Sequence, residues 1–298
     1  MRLLPRSQTR ESWLNRAWAA SKSWRRIRLG PVSLLYRLAR SQPLRPVGRW
    51  PEITHRNGGG DGQSVLGSVL VAGCGPHFGR GAAHYFAQHA RRLVLSARSG
   101  PRLEEIAREI QSPRATIIPL VCDLTDERQV RRAFHDLTAT AEPPPELVIY
   151  SVEHFCPGSA VATTVAAFEE SWRSNCLGAF ILAREAAAAL IEAKRRGTIV
   201  LLGGTSSVVA REGYLNLAVG KFGLRALAHV LARELGSQGI HVVHCLVDAE
   251  IANGDAEGLT LNAQHLAAEI LRLHRQPSDC WTSELDLRPA QEAYWQHC

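Results

Sequence analysis

The residues Ser68-Val69-Leu70-Val71 run into Gly73-Cys74-Gly75-Pro76-His77-Phe78-Gly79-Arg80-Gly81, and the sequence that follows reads as a helix. A glycine-rich turn between a strand and a helix start makes an anion site. The glycines let a diphosphate approach the backbone, while free N–H groups and the helix dipole attract it. Because the turn follows the first strand of the domain, it points to a dinucleotide; the competing account is a turn that only allows close helix–strand packing. Downstream, short apolar runs at 93–96, 116–121, 147–150, 198–202 and 240–247 alternate with helical patterns at 81–90, 103–110, 127–137, 165–174, 176–194, 214–236 and 262–274. Strands that are apolar throughout and separated by helices predict a doubly wound, Rossmann-type parallel sheet in three αβα layers, formed by one α/β domain over 64–298.

The charge is uneven. Residues 1–56 hold 13 of the 35 Lys+Arg but 2 of the 28 Asp+Glu, so the rest of the chain is mildly acidic and the net +7 belongs to this leader. The basic balance is therefore no argument that the main domain binds nucleic acid. The leader also carries Trp13, Trp18, Trp24 and Trp50, and an apolar face at Trp24, Ile27, Leu34, Leu35 and Leu38 that Pro31 interrupts. It reads as a transit peptide, as a membrane-surface segment, or as a tail outside the fold. The expected location is cytoplasmic, or mitochondrial if 1–56 is a transit peptide. The glycines at 58–62 form a joint that closes a flexible segment over 1–63. No run of 18 apolar residues predicts a membrane-spanning segment. The seven cysteines lack CxxC spacing, so neither a disulfide framework nor a metal site is expected.

Two strand ends carry the next signals. The second strand ends at Ala97-Arg98, where a carboxylate would favour NAD and a guanidinium suits the 2′-phosphate of NADP. The alternative for Arg98 is a solvated strand-end residue. The third strand ends at Cys122-Asp123-Leu124. Asp123 could accept a hydrogen bond from an adenine amino group or cap the next helix, a task that Thr125 or Asp126 suits better.

These residues resemble the short-chain dehydrogenase/reductase family over roughly 66–290. The likeness rests on the turn at 73–79, Asp123, Asn175 in Ser174-Asn175-Cys176-Leu177-Gly178-Ala179-Phe180, and Lys221 in Gly220-Lys221-Phe222-Gly223-Leu224. It extends through Ala232-Arg233-Glu234-Leu235-Gly236 to Gly239-Ile240-His241-Val242. Leu202-Gly203-Gly204-Thr205, Ile240-His241-Val242-Val243-His244 and the tail from Leu273 to Pro289 are similar to an atypical bacterial branch. The resemblance implies an NAD(P)-dependent oxidoreductase for a small carbonyl or alcohol substrate, assembled as a homodimer or homotetramer through the helices after strands four and five. It implies a cofactor site of Gly73, Gly75, His77, Phe78, Gly79, Arg98, Asp123, Leu124, Ser151 and Lys221, with NADP favoured and NAD possible.

The departures bear on the chemistry. The family places a Tyr four residues before the Lys, and here that position is Leu217. The family Ser, about 13 residues earlier, falls on Gly204, beside Thr205, Ser206 and Ser207. The family's Asn-Ala-Gly after the fourth strand reads Ser151-Val152-Glu153, and the side chain at 153 is expected to crowd the nicotinamide side of the cleft. The catalytic expectations are Lys221 and Asn175 for ribose and water, Thr205 or Ser206 as a carbonyl donor, and bound water or Tyr214 for the proton. Tyr214 lies seven residues before Lys221, about 10.5 Å along a helix, far for contact with the Lys. Either His77 or His154 could act as an acid or be plain loop residues. Asn175 and Lys221 could equally be kept for structure alone. The polar stretch after Asp248 reads as a reduced substrate lid. The competing function is a non-catalytic dinucleotide-binding scaffold or sensor.

Overall fold

The computed structural model describes residues 65–110, 112–139, 142–254 and 258–292; the leader and its joint lie outside them. The elements are β1 (Leu66–Ala72), α1 (Phe78–Ala87), β2 (Ala90–Ala97), α2 (Gly100–Glu109), β3 (Thr116–Val121), α3 (Glu127–Thr138), β4 (Leu147–Tyr150), α4 (Val165–Trp172), α5 (Gly178–Glu192), β5 (Gly197–Leu202), α6 (Leu215–Leu235), β6 (Ile240–Val247), β7 (Glu250–Ala252), β8 (Thr260–Asn262), α7 (Ala263–His274) and β9 (Glu284–Leu287). Seven strands form one parallel sheet in the order β3-β2-β1-β4-β5-β6-β9, and β7 pairs with β8 in a separate ribbon.

Side-chain alternation along each strand feeds two cores. On one face Val69, Val71, Leu93, Leu95 and Ile149 pack with Phe86 of α1, Ile106 of α2 and Ile270 of α7. On the other, Leu70, Val94, Val148 and Tyr150 pack with Phe134 of α3, Leu182 of α5 and Leu224 of α6. Both faces are covered, which is why the central residues of these strands are mostly apolar. Three helices start on side-chain caps that satisfy first-turn N–H groups. Asp126 accepts from Arg128 and Gln129, Thr164 from Ala167, and Asn262 from Gln264 and His265.

Two departures from the sequence reading follow from context. The separate helices expected at 165–174 and 176–194 are one rod, Val165–Glu192, joined by a π-helical turn at Arg173–Leu177. By length and composition this rod could cross a membrane, although charged residues interrupt its apolar run. Just over half of its most apolar window is buried, with Ile181, Leu182, Ala186 and Leu190 facing the sheet. The seventh strand, β9, escaped the sequence reading because Glu-Leu-Asp-Leu is short and polar, as an edge strand can be.

Gly81 is where α1 meets α7. A Cβ added there would lie 2.3 Å from the Ala263 Cβ. Gly81→Val should therefore cost about 1–3 kcal/mol through overpacking. The check is a lower urea midpoint at an unchanged denaturant slope.

Candidate functional site

The strand order reverses between β1 and β4, so the chain leaves their carboxyl ends toward opposite sides and opens a crevice. A cleft of about 880 Å³ occupies that place. Its lining runs from the turn 73–79, past Arg98 and Asp123, to Ser151, Val152 and Glu153, and on to Gly203–Ser206, Leu217 and Lys221.

The turn is built for close approach. Gly73 has φ +90, and a Cβ there would meet the Val152 backbone N at 2.9 Å. A Cβ on Gly79 would lie 2.5 Å from the Cys74 Cα, so α1 sits directly on the turn. A Cβ on Gly75 would meet only the Gly73 carbonyl, at 3.8 Å. The Ser151 hydroxyl donates to the Ala72 and Gly73 carbonyls at 3.1 Å and ties β4 to the turn. Arg80 donates its N–H back to the Gly75 carbonyl at 2.9 Å. The amides of Phe78 and Gly79 head α1, where the dipole is positive and no preceding helical turn offers a carbonyl. His77 is exposed at the start of α1 and lines the cleft without capping the helix. Cys74 is buried, and burial pushes its thiol up to about 12, which keeps it out of chemistry.

At the second strand end Arg98 is exposed and lines the cleft together with Ser99 and Arg102. Arg102 was missed in sequence because it lies inside α2, whose first turn brings it back to the end of β2. Asp123 Oδ1 accepts from the Thr125 N–H and hydroxyl, both at 2.9 Å, while Asp126 caps α3. Leu124 is buried in the cleft wall.

Lys221 is almost wholly buried, and its ammonium meets three acceptors. These are the Leu202 carbonyl at 3.2 Å, the Val152 carbonyl at 3.5 Å and Glu153 Oε2 at 3.5 Å. Asn175 sits in the π-helical turn with its amide fully engaged. Oδ1 accepts from the His154 N–H at 3.2 Å, and Nδ2 donates to the His154 carbonyl at 2.9 Å and to the Ser171 carbonyl and hydroxyl. Tyr150, also missed in sequence, pins the same turn by donating to the Ser174 carbonyl. Gly178 is required beneath it, since a Cβ would lie 2.6 Å from the Tyr150 hydroxyl. Gly220 lets α6 touch the turn, with its added Cβ 2.6 Å from the Asn175 Cβ.

The Thr205 hydroxyl donates to the buried Asp248 carboxylate, so its proton is committed. Ser206 is nearly buried yet lines the cleft. Tyr214 begins α6 with its ring against Phe155, 5.1 Å between centroids, and Leu217 faces the cleft one turn further. His154 serves through its backbone, on Asn175. Past Asp248 the β7–β8 ribbon forms the far wall with Glu250 and Ile251, and Asn253 donates to the Pro76 and His77 carbonyls at 2.6 and 3.0 Å.

The short-chain dehydrogenase family model matches residues 68–249, a stretch that begins in β1 and ends just past β6. The chain belongs to the short-chain dehydrogenase family. Sepiapterin reductase of Chlorobaculum tepidum is 26% identical over 238 residues, 74% of this chain and 95% of that protein. The chloroplastic NADPH-dependent aldehyde reductase 2 of Arabidopsis thaliana is 27% identical over 62% of this chain and 72% of its own. A short-chain dehydrogenase from Rhodopseudomonas palustris, a solved structure, is 28% identical with a TM-score of 0.65, covering 75% of this chain and 98% of that one.

Beneath the site lies a polar network that the sequence did not signal. His244, fully buried on β6, contacts Glu284 of β9 at 3.1 Å through Nδ1 and the Ser207 hydroxyl at 3.3 Å through Nε2. Ser207 in turn accepts the Gly204 N–H at 3.2 Å. Arg225 of α6 grips Glu284 with two bonds, at 2.7 and 2.8 Å, and holds its carboxyl down at about 2. Burial pushes His244 down to about 4 against the raising pull of Glu284. A neutral ring that donates from Nδ1 and accepts at Nε2 fits all these contacts. Gly203 belongs to the same packing, for a Cβ there would overlap His244.

The unfolded chain therefore takes up a proton on His244 before the folded one does. Stability falls as pH drops from 6.5 toward 4, and His241 and His274, also lowered by burial, add to the fall. Glu284 adds a loss at lower pH still. The melting temperature should fall between about pH 7 and about pH 5, and less steeply in His244→Gln, which has no ring to protonate.

Proposed function

We propose that this chain is an NADP(H)-dependent oxidoreductase that interconverts a small carbonyl compound and its alcohol. The observation that carries the reading is the single cleft that joins the glycine turn, the Arg98–Arg102 pair and the buried ammonium of Lys221. The fit to a dinucleotide rests on the turn itself, whose glycines are required by contact and whose position 75 is left open on the cleft side. The reductase names of its relatives agree with carbonyl chemistry.

The dinucleotide, when bound, supplies or takes up the hydride. The chain supplies the rest. The amides of Phe78 and Gly79, with the α1 dipole, hold the diphosphate. Arg98 and Arg102 hold a 2′-phosphate, and Asp123 keeps Oδ2 for the adenine end. Lys221 fixes the ends of β4 and β5 and offers its charge to the ribose. Ser206 is the hydroxyl placed to polarise the substrate oxygen. Asn175 holds the loop at 154 in position and is spent on that task. Leu217 stands where the family has its phenol and Gly204 where it has its hydroxyl, so the proton must come from another group.

Arg98→Ala/Arg102→Ala should weaken NADPH binding about 10- to 100-fold and leave NADH nearly unchanged, the loss of one or two charge-assisted contacts of about 1.5–3 kcal/mol. Fluorescence titration of both cofactors reads it, and equal weakening would refute the 2′-phosphate assignment.

Leu217 and Gly204 favour a second reading, a dinucleotide-binding protein without turnover. The two readings share a binding step. NADPH at about 100 times its dissociation constant should stabilise the fold by about 2.7 kcal/mol. A thermal shift without NADPH oxidation across aldehydes, ketones and quinones selects the second reading, and no shift with NADPH or NADH removes both. Assembly as a homodimer or homotetramer through α5 and α6 is part of the first reading and is supported by the exposed Phe180, Phe222 and Val230.

A further inference from the structure

We propose that Glu153 is the proton-carrying group of this site, a carboxyl held against Lys221 in place of the absent phenol; the proposal rests on the oxidoreductase reading above. Three observations lead to it. Glu153 Oε2 lies 3.5 Å from Lys221 Nζ, and both residues line the cleft. The Lys221 side chain is 3% exposed and its ammonium is anchored to the carbonyls of Leu202 and Val152, so its position is fixed. The Glu153 side chain is 55% exposed, which gives its carboxyl a path for proton exchange with solvent. The fixed ammonium stabilises the carboxylate that is left when the proton is given up, and the exposed side of the carboxyl connects it to solvent.

The other candidates in the cleft wall are weaker. Leu217 has no proton to move. The Thr205 hydroxyl is committed to Asp248, and the Asn175 amide to His154 and Ser171. Tyr214 packs on Phe155 at the start of α6, about 10.5 Å along the helix axis from Lys221. Glu250 stands on the far wall, in β7.

In the reducing direction the carbonyl carbon gains hydride from the bound nicotinamide dinucleotide, which is thereby oxidised. The C=O π pair takes the proton of the Glu153 carboxyl as its O–H bond breaks. The electron pair of that bond stays on the carboxylate, where the Lys221 ammonium stabilises it, and solvent restores the proton. Oxidation of an alcohol runs the same steps backwards, with the carboxylate as base.

The test compares the wild-type chain with Glu153→Gln, which keeps an acceptor for Lys221 but carries no acid. NADPH binding is measured by fluorescence titration, and turnover by NADPH absorbance with 4-nitrobenzaldehyde and with 9,10-phenanthrenequinone as probes. We expect the NADPH Kd to stay within about twofold while kcat falls about 10²–10⁴-fold, the usual cost of a lost positioned acid. In Leu217→Tyr/Glu153→Gln the phenol one turn from Lys221 should recover most of that loss. Turnover by the wild type with an equal kcat in Glu153→Gln overturns the proposal. A wild type that binds NADPH but reduces neither probe, or that binds no NADPH, overturns the oxidoreductase reading on which the proposal rests.

Discussion

Two neighbouring parallel strands, β1 and β4, send their chains to opposite sides of the sheet, and this divergence creates the cleft. The glycine-turn end of the cleft is fixed by how closely backbone can approach backbone at that fork. Gly73 turns with φ +90 against Val152, Gly79 rests on Cys74, and Ser151 ties the two strand ends together. A side chain at either glycine would push α1 away from the fork and with it the positive end of the helix. The open amide end of α1 at the fork is thus a consequence of tight packing.

The Lys221 end of the cleft is fixed by a second close approach. The π-helical turn Arg173–Leu177 bulges the long rod toward β4, where Tyr150 pins it and Asn175 clasps the backbone of His154. Gly220 lets α6 rest on that bulge, which carries Lys221 to the ends of β4 and β5. The His244–Glu284–Arg225 network supports the turn at Gly203 and Gly204 from below. Buried polar groups are costly unless satisfied, and here the donors and acceptors meet in series from β9 to the cleft floor.

Much of this was legible in the sequence, for identifiable reasons. Strand runs at 116–121, 147–150 and 240–247 have the same bounds in the structure; the last two are buried throughout, whereas 116–121 is a half-exposed edge strand. The glycine turn and Lys221, both singled out in the sequence, line the cleft. Elements and roles that depend on partners distant in sequence were not legible. The strand β9 is polar because Glu284 pairs with Arg225, His229 and His244. Arg102 joins Arg98 only because α2 folds back on the end of β2. Thr205 looked like a carbonyl donor, but its hydroxyl donates to Asp248, 43 residues away.

The sequence by itself determined the layered architecture, the place of the glycine turn and the family to which the residues belong, because these depend on periodicity and on glycines whose need is local. Only the tertiary structure decided which polar groups are left to act. Hydrogen-bond partners are chosen by proximity in space, so only the packed structure could show Asn175 engaged with His154 and Glu153 brought to the ammonium of Lys221.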